Sequence, residues 1–351
     1  MPPVDNTDID ALVGRLGLRE SPEPVGQRAG WRRPGRVVIW TDAAAPIEFF
    51  APAAPGIELV GVSSPKQALA AMPGADAVLG FCTAEMIAAG DQLRWIQTYL
   101  AGLGPLAGIP AVRERGLLVT NMQRVSGPDI AEHVMALLLA LARGLHRYQR
   151  EQQQARWRTG LVPMDGILAL EDATLLVVGL GGIGTEVARR AHGLGMRVLA
   201  IRASHTPGPE FVAEVGNRAQ LHEFAARADI VVNAAPLTGQ TTGLYDAAFF
   251  AAMRPQAFFI NVGRGRSVVQ PDLLAALQAG QIAGAALDVT DPEPLPADHP
   301  LWQQEKLIIT PHVSGFSARV RDRIYLIARE NLRRYCAGER MLSVVDLTQG
   351  Y

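Results

Sequence analysis

From Arg36 onward, short apolar runs alternate with stretches of helical period. Runs at 37–40, 57–62, 77–79, 95–98 and 117–120 predict β-strands spaced as βα units of a parallel sheet. A long helix is expected next, from 128 to about 148, apolar through Ile130, Val134, Leu137, Leu138 and Leu141. A helix apolar on most faces is buried, here between domains or between subunits. The polar stretch 150–160 leads into a second series of strands at 174–178, 198–201, 230–233, 257–261, 284–287 and 306–309. A last helix at 317–335 is too long to hang free, so it is expected to return to the first domain and make that domain discontinuous. The pattern is α/β, with two doubly wound domains.

The second series opens on Val177-Val178-Gly179-Leu180-Gly181-Gly182-Ile183-Gly184, a strand entering a G-x-G-x-x-G turn with a helix leaving it. Gly179 permits the tight turn, Gly181 lets backbone approach a pyrophosphate, and Gly184 lets helix and strand pack closely. The helix start faces the same point with unpaired amides and a positive dipole end. In a chain of 351 residues with 35 glycines the spacing alone is weak. Its context is not: 173–178 suits a buried parallel strand, and Ile183, Val187, Ala191 and Leu194 share one helical face. Dinucleotide binding is therefore expected, against a purely structural turn. Residues 1–33, rich in Pro, Gly and charge with one short helix around 9–18, read as an extension outside the core. Residues 34–140 with 318–351 then form a flavodoxin-like substrate domain, and 141–317 a Rossmann domain for NAD(P).

Composition narrows the partners. Hydrophobic residues at 48% and charged residues at 19% describe a globular chain, and a net charge of −1 supplies no field for nucleic acid or anionic membrane. Cys82 and Cys336 lack metal-ligand spacing, and no metal is expected. The longest apolar run, 134–142, is too short to span a bilayer, and the acidic start through Asp5, Asp8 and Asp10 is unlike a signal peptide. A cytoplasmic location is the expectation.

Three ionisable residues each follow an apolar strand: Arg264 in Asn261-Val262-Gly263-Arg264-Gly265, Glu293 in Asp288-Val289-Thr290-Asp291-Pro292-Glu293-Pro294, and His312 in Ile309-Thr310-Pro311-His312-Val313-Ser314-Gly315. Carboxyl ends of strands line the ligand crevice of an open α/β sheet. Reducing a ketone needs a hydride donor, a proton donor and a cation for the substrate's charge. A histidine beside a carboxylate can give the proton, because the carboxylate favours the imidazolium. A guanidinium offers a planar fork that matches a carboxylate or a 2-oxo acid. The strand at 198–201 ends at Arg202 with Ser204 beyond it, where an NAD-specific site would place an acid; this pair suits a 2′-phosphate, so NADP is expected, with NAD as the alternative.

The wording and order of GLGGIG, NVGRG, DVTDPEPLP with HPLW, and ITPHVSG resemble the D-isomer-specific 2-hydroxyacid dehydrogenases, particularly the glyoxylate and hydroxypyruvate reductases, over about 36–335. The resemblance implies that Arg264 binds substrate, Glu293 tunes the histidine, and His312 is the general acid–base and contacts substrate. It implies cofactor contacts at Gly179, Gly181, Gly182, Ile183, Gly184, Arg202, Ser204, Pro236, Val262, Gly263 and Asp288. It also places the substrate carboxylate on the backbone amides of Ala101 and Gly102. The implied protein reduces a small 2-oxo acid, glyoxylate or hydroxypyruvate foremost. A homodimer is expected on separate grounds: the helix from Pro128 onward carries more apolar surface than one domain contact easily covers, and isologous dimers are the commonest assembly. Two departures stand out: Gly104 where an aspartate is common, and Gln270 for an aspartate after the arginine motif.

Blander readings remain open beside these. Arg264 could sit in a structural ion pair, Asp291 could take the role of Glu293, and His312 could cap the last helix. Asp288 could be a strand-end turn residue and Arg202 a solvated one. His133, His146, His192, His205 and His222 read as surface or packing residues, and His299 as shaping the HPLW turn. Trp157 reads as ordinary packing, although in related reductases a tryptophan near here enters the neighbouring active site. Among rival functions, a formate dehydrogenase pairs its histidine with glutamine, which Glu293 argues against. A phosphoglycerate or lactate-type dehydrogenase using NAD is the nearer alternative. A corepressor-like nucleotide sensor would have no use for an intact Arg–Glu–His set.

Overall fold

The computed structural model describes residues 8–347 apart from 104, 105, 107 and 205, together with all but the side chain of Asp165. Gly104 and His205 thus lie outside the described residues. The chain divides into two compact units, one running to Ser126 and resuming at Ser317, the other Gly127–Phe316.

In the first unit, helix α1 (Ile9–Leu16) precedes strand β1 (Arg36–Trp40). Helix α2 (Ile47–Phe50), β2 (Glu58–Val62), α3 (Pro65–Ala71), β3 (Ala77–Leu79) and α4 (Ala84–Ala89) follow. Then come β4 (Trp95–Gln97), α5 (Pro110–Glu114) and β5 (Leu118–Thr120). The sheet is parallel in the order β2-β1-β3-β4-β5, the flavodoxin-like arrangement. Alternate residues feed two cores: Val37, Ile39 and Leu79 face one layer, Val38, Val78 and Ile96 the other.

The expectation that 1–33 lies outside the core is corrected. Leu12, Leu16, Leu18 and Val25 are buried in the first of those cores. Asp8 caps α1 by accepting from the amides of Asp10 and Ala11, and Gly17 ends it in a left-handed conformation. Beyond it the Ser343 amide donates to the Arg19 carbonyl at 2.8 Å, and Trp31 Nε1 donates to the Tyr335 carbonyl at 3.3 Å. A helix of two turns between Pro-rich flanks carries little periodic signal, which is why it read as peripheral.

The second unit begins with α6 (Gly127–Ala142) and α7 (Leu145–Gln153). Its first half is β6 (Thr174–Val178), α8 (Gly182–Gly193), β7 (Arg197–Ile201) and β8 (Glu214–Gly216). Its second half is α9 (Leu221–Ala225), β9 (Ile230–Asn233), α10 (Ala247–Ala252), β10 (Phe258–Asn261), α11 (Gln270–Ala279), β11 (Gly284–Leu287) and β12 (Leu307–Ile309). The parallel sheet runs β12-β11-β10-β9-β6-β7-β8, so strand order reverses between β6 and β9. That is the Rossmann arrangement with one more strand than the six expected: β8, three edge residues too short to carry a pattern. The chain returns to the first unit as α12 (Ala318–Ala337), capped by Ser317 and ended at Gly338, somewhat longer than expected.

The expected helix 128–148 is two helices. Gly144 adopts φ +63°, and a Cβ there would lie 2.5 Å from Val162 Cγ2, so the chain breaks where only glycine fits. The domain boundary also moves from 140 to 126. Ala131, Val134, Leu138 and Leu141 of α6 pack with Val187, Ala188 and Ala191 of α8 and with the sheet, so its apolar face is covered inside its own unit. No helix among the described residues is long and apolar enough to cross a membrane.

Candidate active site

The glycine turn sits where the strand order reverses. Gly179 adopts φ +97°, and a Cβ on it would lie 2.7 Å from the Ala235 backbone, so the β6 and β9 exits abut. A Cβ on Gly184 would lie 2.0 Å from the Gly179 carbonyl oxygen, which fixes glycine for close packing of helix on strand. Gly181 differs: among the described residues nothing lies within 4 Å of its Cβ position. No side chain caps α8 at Gly181, and its first turn holds no acidic residue. Open space before bare helix amides fits the pyrophosphate of a dinucleotide. Ile183 lies in the same turn. Arg202 and Ser204 follow β7, Pro236 follows β9, Val262 and Gly263 follow β10, and Asp288 follows β11. All these expected cofactor residues therefore stand beyond carboxyl ends of one sheet.

The three ionisable candidates belong to the same edge. His312 Nδ1 lies 2.8 Å from Glu293 Oε2, and Glu293 Oε1 accepts from the Thr290 amide at 3.0 Å. With Nδ1 donating to the carboxylate, Nε2 is left as the outward atom. Glu293, not Asp291, is the partner the fold brings to His312. Arg264 is exposed, and its Nη1 donates to the Gly263 carbonyl at 2.7 Å. No ion pair to Arg264 is present among the described residues. Its loop meets the Glu293 loop closely: a Cβ on Gly265 would lie 1.8 Å from the Thr290 carbonyl oxygen. The backbone there admits only glycine, so the NVGRG spacing holds guanidinium and carboxylate loops together.

His312 itself adopts φ +55°. For a residue with a Cβ this costs of order 1 kcal/mol or more, and surrounding bonds must hold it. Its amide donates to the Asp288 carbonyl at 2.8 Å. The Asp288 side chain is buried, and its Oδ1 accepts from Thr310 Oγ1 at 2.6 Å and from the Val313 amide at 3.0 Å. Oδ2 accepts from the Ser314 amide at 3.1 Å. Burial pushes this carboxyl up, but hydrogen bonds from Ser314, Thr310 and the Val313 and Ser314 amides outweigh it and hold the group below the usual carboxylate range. Asp288, expected at the cofactor, thus faces the 310–314 loop with both oxygens.

Sequence reasoning missed a buried amide network beneath Arg264. Asn233 Nδ2 donates to Asn261 Oδ1 at 2.8 Å and to Ser267 Oγ at 2.9 Å. Ser267 Oγ and Asn261 Nδ2 both donate to the Arg264 carbonyl, at 2.6 and 3.1 Å. The Asn at the end of both β9 and β10 was the available signal. Gln270, noted as a departure, donates through Nε2 to the Asp291 carbonyl and so tethers the Glu293 loop.

In the first unit, Ala101 and Gly102 lie after β4. The Ala101 carbonyl accepts from Asn121 Nδ2 at 2.8 Å, and the Leu100 amide donates to Thr98 Oγ1 at 3.2 Å. His299 Nδ1 accepts from the Leu301 amide at 3.3 Å, as a turn-shaping residue would. His192 and His222 lie against Phe211 and Phe249, as packing residues. Two expectations fail. Trp157 is 96% exposed and so is no packing residue among the described residues, and His133, read as surface or packing, hydrogen-bonds Thr310.

Comparison with known proteins agrees with this geometry. Residues 135–314 match the family model of the D-isomer specific 2-hydroxyacid dehydrogenase NAD binding domain. A human protein named glyoxylate reductase/hydroxypyruvate reductase is 36% identical over 261 residues, 74% of this chain and 79% of that one. A D-isomer specific 2-hydroxyacid dehydrogenase family protein of Aeromonas salmonicida superposes with a TM-score of 0.78 at 31% identity, covering 89% of this chain and 99% of the other. An NADPH-dependent glyoxylate/hydroxypyruvate reductase of Sinorhizobium meliloti, in complex with NADP and sulfate, gives 0.76 at 27% identity over 90% and 100%. The chain is an NAD(P)-dependent oxidoreductase and belongs to the D-isomer specific 2-hydroxyacid dehydrogenase family.

Proposed function

We propose that this enzyme reduces small 2-oxo acids, glyoxylate and hydroxypyruvate foremost, with NADPH in the cytoplasm. The observation that carries the reading is the His312–Glu293 pair beside the Arg264 loop at one sheet edge. The activities for which the human and Sinorhizobium relatives are named support the choice of substrate, and Arg202 with Ser204 supports the choice of cofactor. The glycine turn 179–184 holds the pyrophosphate. Pro236, Val262 and Gly263 would help to hold the nicotinamide half of the cofactor, whose chemistry when bound would be donation of a hydride to the substrate's carbonyl carbon. Arg264 pairs its fork with the substrate's carboxylate and carbonyl oxygen. His312 gives the Nε2 proton to the carbonyl oxygen, so that hydride and proton together make the hydroxyl. Glu293 fixes the ring's tautomer and stabilises its charged form.

Mixing protein, NADPH and glyoxylate and following the reduced-nicotinamide absorbance tests this directly. A fall in absorbance is expected; no turnover across a panel of 2-oxo acids with either cofactor would leave a nucleotide-sensing scaffold as the better reading. Arg264→Lys keeps the charge and loses the fork, so KM for glyoxylate should rise while kcat falls, by about tenfold or more in kcat/KM. A change in thermal stability with unaltered kinetics would return Arg264 to a structural role.

A homodimer completes the proposal. Trp157 at 96% and Met164 at 91% exposure, with Leu145 also exposed, put large apolar side chains in one segment of the second unit. Such side chains are usually covered, and twofold pairing is the commonest way. Sedimentation at micromolar concentration should give twice the chain mass, and a monomer would refute it.

A further inference from the structure

His133 sits on α6, 177 positions before Thr310, yet its Nε2 lies 3.0 Å from Thr310 Oγ1. The same atom is 3.7 Å from Asp288 Oδ1. Proton counting gives the contact a direction. A threonine hydroxyl carries one hydrogen, and an ionised carboxylate only accepts. Asp288 is held ionised by its hydrogen bonds, so the Thr310 hydrogen goes to Asp288 Oδ1 at 2.6 Å. Thr310 Oγ1 can then only accept from His133, whose Nε2 must carry a hydrogen. The result is a directed chain, His133 Nε2–H to Thr310 Oγ1–H to Asp288 Oδ1.

That chain ends on the group that holds the catalytic loop. The Asp288 carboxylate takes donors from Thr310 and from the Val313 and Ser314 amides, on both sides of His312, while its backbone carbonyl takes the His312 amide, and between these bonds His312 keeps φ +55°. We propose that His133 is a positioning residue: through Thr310 and Asp288 it holds His312 in the strained conformation from which it delivers its proton. The inference rests on the reading of His312 as proton donor. Both the neutral Nε2–H tautomer and the imidazolium meet the requirement, so what matters is the donor and not the charge.

The test compares His133→Leu, which fills the space without a donor, with His133→Gln, which retains an N–H. Glyoxylate kinetics and NADPH affinity by fluorescence titration are measured for each. For His133→Leu, kcat should fall about tenfold, less than the ~10²-fold that a 1 Å misplacement of a reacting group can cost. KM for glyoxylate and NADPH affinity should stay near wild type, and His133→Gln should recover most of the loss. Thr310→Val should reproduce the fall, and His133→Leu with Thr310→Val should be no worse than Thr310→Val alone, because both cut one chain. Wild-type kcat in His133→Leu, an equal loss in Gln and Leu, or multiplicative losses in the double variant would each overturn the proposal. If His133→Leu does not fold, His133→Met against His133→Gln carries the same comparison, since methionine also lacks an N–H donor. His312→Ala run in parallel separates the two ideas: near wild-type turnover there sinks the proton-donor reading itself.

Discussion

Replacing His312 with alanine is expected to lower kcat by ~10²–10⁴-fold while NADPH affinity stays near wild type. The reason is local. With Nδ1 2.8 Å from Glu293, Nε2 is the ring atom left for the proposed proton transfer, and the exposed ring supports no core. Loss of the side chain would remove the proposed proton donor and leave the glycine turn and the Arg202 region untouched. The Asp288 carboxylate still accepts from Thr310 and from the Val313 and Ser314 amides without the imidazole, so the 310–314 loop should keep its shape. Turnover should be followed at saturating NADPH and glyoxylate, with cofactor binding by fluorescence. Near wild-type kcat would remove His312 from the chemistry; a loss of NADPH affinity equal to the loss of rate would mean that the loop had collapsed. Glu293→Gln is the companion: it keeps a hydrogen-bonding oxygen and removes the charge, so one limb of the pH–rate profile should move. An unchanged profile would deny the carboxylate its part.

What the sequence revealed follows from how far apart the cooperating residues lie. The glycine turn was legible because Gly179, Gly181 and Gly184 act within one strand–turn–helix unit, and the parallel strands because buried ones are continuous apolar runs. Arg264, Glu293 and His312 were legible as motifs, and their pairing followed from standing after successive strands. Less was visible where the signal was short or distant. The three-residue β8 carries no period, and Gly144 hides inside a helical pattern that runs through it. The N-terminal segment looked peripheral because Leu12, Leu16 and Val25 are few, although each is buried once α12 is in place. His133 was misread for a general reason: a single histidine on an apolar helix predicts packing, and nothing near it in the chain names Thr310. The amide network of Asn233, Asn261 and Ser267 is likewise visible only once β9 and β10 lie side by side.

Wild-type enzyme should favour NADPH over NADH, and Arg202→Asp should reverse or flatten that preference. β7 ends at Ile201, and Arg202 stands 23 residues after Gly179, where NAD-specific sites usually carry an acid that accepts from the ribose 2′-hydroxyl. Here that position offers a cation. Its Nη1 donates to the carbonyls of Thr206 and Pro207 at 3.1 and 3.4 Å, which ties the guanidinium to the loop after the strand. A guanidinium has five N–H donors, so this tether still permits donation to a 2′-phosphate, with the exposed Ser204 hydroxyl close in the chain. Hydrogen bonds to charged groups contribute about 1.5–3 kcal/mol, roughly ten- to hundredfold in affinity. Aspartate would remove that and set a negative charge against the phosphate, so the change in the ratio of kcat/KM values should be at least as large. The effect should fall on KM for the cofactor, because Arg202 lies at β7 while the proton donor follows β12, and kcat at saturating cofactor should hold. A wild-type preference for NADH would show that Arg202 is only a solvated strand-end residue. So would a variant whose cofactor ratio matched wild type.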